Sequence, residues 1–77
     1  MEARVIPGPV PSALDAACHA VTCGYGKLQS AAFQRGASYA RLGLPVDDSG
    51  RFGAYVRAGA TWVENETNRR AAQREAR

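Results

Sequence analysis

Seventy-seven residues carrying a net charge of +3 leave room for one small domain, because a chain this short buries only about 60% of the surface its unfolded state exposes. Apolar residues make up 45% and charged residues 22%, which excludes the charge-rich composition of disordered chains and predicts a packed domain. Lys27 is the single lysine, so the positive charge is arginine, a side chain suited to planar contacts with carboxylate or phosphate and also one that GC-rich genomes favour; this charge permits an acidic protein or nucleic acid as partner and demands neither.

Over residues 1–11, prolines at 7, 9 and 11 fix their own backbone and push their predecessors toward extended geometry, which predicts an extended arm. Val5, Ile6 and Val10 give it apolar side chains with which to dock on its own domain or to form a short edge strand. The opening Met-Glu-Ala-Arg-Val-Ile-Pro lacks the apolar core of a secretory signal, and no stretch of the chain approaches the roughly 20 apolar residues of a membrane span. The expected setting is therefore cytoplasmic, with no membrane partner.

Ser12 followed by Asp15 matches a capping box and predicts helix one over 13–23. Leu14, Ala17, Cys18 and Val21 recur at helical spacing and are expected to form its buried stripe, leaving Asp15, His19 and Thr22 outside. Gly24 and Gly26 end the helix and free the chain to reverse. Cys18 and Cys23 sit five positions apart on one helix and point in different directions, so reduced thiols are expected rather than a staple.

Helix two is predicted over 27–42, with Leu28, Ala31, Ala32, Tyr39 and Leu42 on one side and Phe33, Ala37 and Ala40 on another. Ser30, Gln34, Ser38 and Arg41 form its one polar strip, which marks it as the central helix. Ala32, Gly36 and Ala40 fall four apart and make a smooth ridge on which another helix backbone can lie close, offsetting the roughly 1 kcal/mol that glycine costs inside a helix. Gly43 caps the end, and Pro45 discourages resumption.

Asp47, Asp48 and Ser49 are candidate caps for helix three, predicted over 51–75. Phe52, Tyr55, Val56, Gly59, Trp62 and Val63 keep helical spacing opposite Arg57, Thr61 and Glu64. Beyond Val63 the apolar residues are all alanines, so the end of the helix is expected to project or to pack on a partner, with Glu66 paired to Arg70. The expected fold is all-α: a small three-helix bundle, one domain over 1–77, with an extended Pro-rich N-terminal arm and a long, partly projecting C-terminal helix.

Asp15, His19 and Cys23 follow one another at four-residue steps and are the one candidate for nucleophilic chemistry. Side chains lined up on a straight helix point outward in parallel, without a pocket or an oxyanion donor, so no catalytic role is assigned. Structural zinc needs four ligands, and no second pair of cysteines or histidines completes a site within one chain. Neither phosphate-loop pattern is present among the glycines. The expectation is a protein that is not an enzyme and takes no cofactor or metal.

The stretch Phe-Gly-Ala-Tyr-Val-Arg-Ala-Gly at 52–59 resembles the second helix of ribbon-helix-helix regulators, which bind DNA through a strand pair formed by a dimer. Those proteins place one strand and one helix before that segment, whereas two helices are predicted here, so no residue role is carried over.

The remaining signal is a partner surface. Tyr25, Arg57, Trp62, Arg69, Arg70 and Arg74 are the expected partner-binding residues, since aromatic and arginine side chains dominate interface energies. The expected function is that of a small inhibitor or adaptor covering a functional surface of a larger protein complex. In this bacterial or phage style of sequence, an anti-CRISPR is the most concrete form of such an anti-defence inhibitor. The alternative is a nucleic-acid-binding regulator, a homodimer, using Arg69, Arg70, Arg74 and Arg77 as a basic stripe. A third reading is a structural subunit that completes its core on another chain of a larger assembly.

Overall fold

The computed structural model describes residues 10–75, with side chains through residue 73. Among the described residues lie three helices and no strand: α1 (Ala13–Thr22), α2 (Lys27–Leu42) and α3 (Gly53–Glu75). None of the helices is long and apolar enough to cross a membrane. The expected arm falls outside the described residues, apart from Val10, which packs half-buried against the core, and Pro11, which is fully buried.

Local grammar starts and stops the helices. Ser12 Oγ accepts the Asp15 amide proton at 3.1 Å while the Asp15 carboxylate accepts the Ser12 amide at 3.0 Å, a complete capping box. Cys23, expected inside α1, is instead its C-cap. At the far end of α2, Gly43 takes the left-handed conformation (φ 74°), which glycine adopts without steric cost and which ends the helix there.

The face of α1 that enters the core is not the expected one. Ala16 and Ala20 are buried, whereas Leu14 is 72% and Val21 75% exposed, Cys18 is exposed and Ala17 half-buried. His19, expected outside, is half-buried and stacked on Trp62. The alanines bring α1 close to Phe33, Ala37 and Val63, so the helix docks by its small side and leaves its large apolar side outside.

The ridge on α2 does act as a contact surface. A Cβ added to Gly36 would stand 1.8 Å from the Val56 carbonyl oxygen, and one on Gly59 of α3 would stand 2.0 Å from the Phe33 carbonyl oxygen. The two backbones therefore touch where they cross, with nothing but hydrogen able to fit between them. Phe33 and Val56 fill the flanking space and are almost completely buried. The polar strip of α2 is half-buried, with Gln34 donating to Ser30 Oγ at 3.0 Å and Arg41 donating to Ser38 Oγ at 3.3 Å. Leu28 and Leu42, expected on an apolar side, are exposed, as are Lys27, Ala31 and Arg35.

Arg51 and Phe52 precede α3 as a turn rather than beginning it, with the Arg51 guanidinium 5.6 Å from the centre of the Phe52 ring. Asp47 accepts the backbone and hydroxyl protons of Ser49, and these two hydrogen bonds, the hydroxyl's first, hold its carboxyl below the ordinary value. Asp48 receives both Nε and Nη2 of Arg57 at 2.7 Å, tying the α2–α3 loop to the first turns of α3.

Candidate functional site

Five rings gather where the three helices meet. His19 of α1 stacks on Trp62 of α3 with ring centres 4.9 Å apart, and Phe33 of α2 lies 5.5 Å from His19 and 5.7 Å from Trp62. Tyr25, in the turn between α1 and α2, sits 5.6 Å from Phe33 and meets Tyr55 edge-on at 5.2 Å. Phe33 is the buried floor and the other four rings are half-buried around it. Centroid separations of this size are those at which aromatic pairs attract.

The surface above this cluster is a shallow depression of about 450 Å³. Three of the residues named from the sequence line it together: Tyr25, Arg57 and Trp62. Ala54 and Ala58 keep its α3 wall thin, and Thr61 and Asn65 give it a polar edge. Partial burial pushes the Tyr25 phenol above its ordinary value, with the neighbouring Cys23 and Tyr55 adding to the effect, so it stays a neutral hydrogen-bonding group. A larger hollow of about 660 Å³ opens between the α2–α3 loop and α3, over Val10, Ala40, Leu44, Val46 and Ala60. It has no aromatic lining, so the smaller depression holds the side chains from which interface energy usually comes.

Of the arginines expected in a basic stripe, the two whose side chains are described, Arg69 and Arg70, are both engaged by carboxylates. Glu66 accepts from both Arg69 and Arg70, the latter at 2.9 Å, and Arg70 also faces Asp15 of α1 at 3.6 Å. Glu66, Thr67, Arg70 and Ala71 are half-buried, so the first turns beyond Val63 pack back rather than project. The side chains of Arg74 and Arg77 lie outside those described.

These pairings carry a pH dependence. Hydrogen bonds from Arg69 and then Arg70, together with their charges, hold the Glu66 carboxyl below its ordinary value of 4.5. A carboxyl depressed in the folded state adds stability at all pH values above the unfolded pKa, and that stability is lost as pH falls through the folded value. Both arginines are partly exposed, so solvent screens the pair. Glu66→Gln is expected to lower the melting temperature by roughly 4 °C or less at pH 7. The difference from the parent protein should close as the pH falls below 4.5 and through the lowered Glu66 value, a comparison that thermal melts at graded pH make directly.

The candidate triad does not assemble. The Asp15 carboxylate is held low chiefly by the Ser12 backbone hydrogen bond and also faces Arg70, His19 turns in toward Trp62, and Cys23 is an exposed free thiol beside Tyr25. Among the described residues no three histidine, cysteine, aspartate or glutamate side chains come together as metal ligands. Sequence reasoning missed His19 and Phe33 as parts of the depression. The available signal was the pair Ala16 and Ala20, whose small side chains mark the face of α1 that a neighbouring ring system can approach. No protein-family profile, curated protein or solved structure matches the chain, so its site is read from its own geometry.

Proposed function

We propose that this chain is a small binding factor, an inhibitor or adaptor that seats an apolar or aromatic side chain of a larger protein complex in the depression at Trp62. The convergence of Tyr25, from the turn after α1, with Arg57 and Trp62 of α3 on one shallow aromatic-floored hollow carries this reading. Arg57 already gives its charge to Asp48, so the rim offers hydrogen bonds with little excess charge, which suits a protein surface better than a phosphate backbone. Pairing of Arg69 and Arg70 with Glu66 and Asp15 takes away much of the basic stripe that a nucleic-acid regulator of this size needs. An anti-defence inhibitor such as an anti-CRISPR remains the most concrete form of this proposal, on size and sequence style. The bundle with its extended arm and long last helix is the scaffold we assign to it.

The test is capture of partners from lysate of the cells that make the protein, with parent and Trp62→Ala baits side by side. A protein complex held by the parent and weakened at least about 30-fold by Trp62→Ala is the expected result, since central aromatic anchors are worth about 2 kcal/mol or more. Retention of nucleic acid alone, released steeply by salt and indifferent to Trp62, would replace this reading with the regulator.

A further inference from the structure

We propose that the occupant of the larger hollow, the one of about 660 Å³ between the α2–α3 loop and α3, is the chain's own N-terminal arm, residues 1–9, laid along α3 from Val10 toward the loop. Val10 itself lines this hollow and packs on the core, and Pro11 after it is fully buried. The arm is therefore anchored at the hollow's edge. The first turn of α1 faces Arg70 through Asp15, which sets Val10 at the C-terminal end of the hollow, while the bridge of Asp48 to Arg57 closes its other end. Length fits this span. The stretch from Arg4 to Val10 reaches roughly 19 Å at about 3.1 Å per residue of polyproline geometry, and the α3 wall from Arg57 to Asn68 is roughly 17 Å long at about 1.5 Å per residue.

Chemistry fits as well. Val5 and Ile6 match a surface made by Ala40, Leu44, Val46 and Ala60, of which Leu44 and Val46 stand exposed. Pro7 and Pro9 carry no amide proton, so the segment seats without the unpaired donors that an ordinary extended chain would bury. Glu2 and Arg4 arrive beside the Arg57–Asp48 bridge, one charge of each sign against one of each sign. Attachment decides between occupants. A segment tethered at the edge meets the hollow at an effective concentration on the order of millimolar, which a free guest of equal affinity does not reach. Tyr25 and Trp62 line only the smaller depression, so this proposal stands or falls apart from the one above.

A nitroxide at residue 4 of the full-length protein tests it, attached through Arg4→Cys with Cys18→Ser and Cys23→Ser removing the other thiols. Paramagnetic broadening should remove the amide signals of Leu44, Val46 and Arg57 and spare those of Lys27 and Leu28, at the end of α2 away from the hollow. Adding Ile6→Asp should restore the lost signals. In the otherwise parental chain Ile6→Asp should lower the melting temperature by about 4 °C while leaving the helical circular dichroism intact. Amide signals of Leu44, Val46 and Arg57 that survive the nitroxide, or a melting temperature indifferent to Ile6→Asp, overturn the proposal. Loss of those signals from isotope-labelled protein mixed with separate nitroxide-bearing copies also overturns it, and gives the hollow to the arm of another molecule.

Discussion

Gly36→Ala is expected to destabilise the protein by at least about 3 kcal/mol, the upper end of what overpacking a core costs. The new methyl carbon would lie 1.8 Å from the Val56 carbonyl oxygen, and that oxygen belongs to helical backbone that cannot swing aside as a side chain can. The sign is diagnostic. Helix propensity alone favours alanine over glycine by about 1 kcal/mol, so a stabilised variant would mean that the helices do not cross at Gly36. Native proteins retain roughly 0.05–0.15 kcal/mol per residue, which for this length makes the expected loss a large share of the total. Urea titration followed by helical circular dichroism reads it. Gly50→Ala, where an added carbon meets nothing within 4 Å, serves as the control and should shift stability by no more than about 0.5 kcal/mol.

Phe33→Ala should cost about 3–5 kcal/mol and leave much of the protein unfolded at room temperature. Phe33 is 2% exposed and lies within 6 Å, ring centre to ring centre, of His19, Tyr25 and Trp62. Its removal takes away the floor on which those rings rest. Trp62 is the one tryptophan, so its near-ultraviolet dichroism reports this cluster alone among indoles and should collapse together with the urea midpoint. Phe33→Leu, which keeps most of the volume, should lose on the order of 1 kcal/mol and retain cooperative unfolding. A variant that lost the near-ultraviolet signal yet kept the parent midpoint would place Phe33 outside the structural centre.

The parts of the fold legible in the sequence were those fixed by local chemistry. Ser12 with Asp15 marks the start of α1, Gly43 with Pro45 marks the end of α2, and Glu66 marks its own arginine partner, because each depends on residues within one turn of each other. The glycine ridge was legible too, since a Gly36 at four-residue spacing from Ala32 and Ala40 has little use in a helix except close approach. The orientation of α1 was not. Hydrophobicity selects Leu14 and Val21 for the core, but α1 lies over the aromatic cluster, where Ala16 and Ala20 fit and larger side chains do not. The same non-local fact decided the site: Tyr25, Arg57 and Trp62 were named one by one as aromatic or charged residues, while His19 was read as solvated and its stack on Trp62 depends on where another helix comes to rest.

The docking of α1 by two alanines has a further consequence for how the molecule breathes. Methyl groups bury little area, so the main restraints on this helix among the described residues are the Phe33 and Trp62 contacts of His19 and the Asp15–Arg70 bridge. It is the segment whose amide protons should exchange with solvent soonest, by excursions that leave the α2–α3 crossing intact. Each excursion carries His19 away and loosens the turn that holds Tyr25, erasing the hollow. Occupancy of the hollow and order of the first helix are thus one equilibrium, and a bound guest acts as a splint.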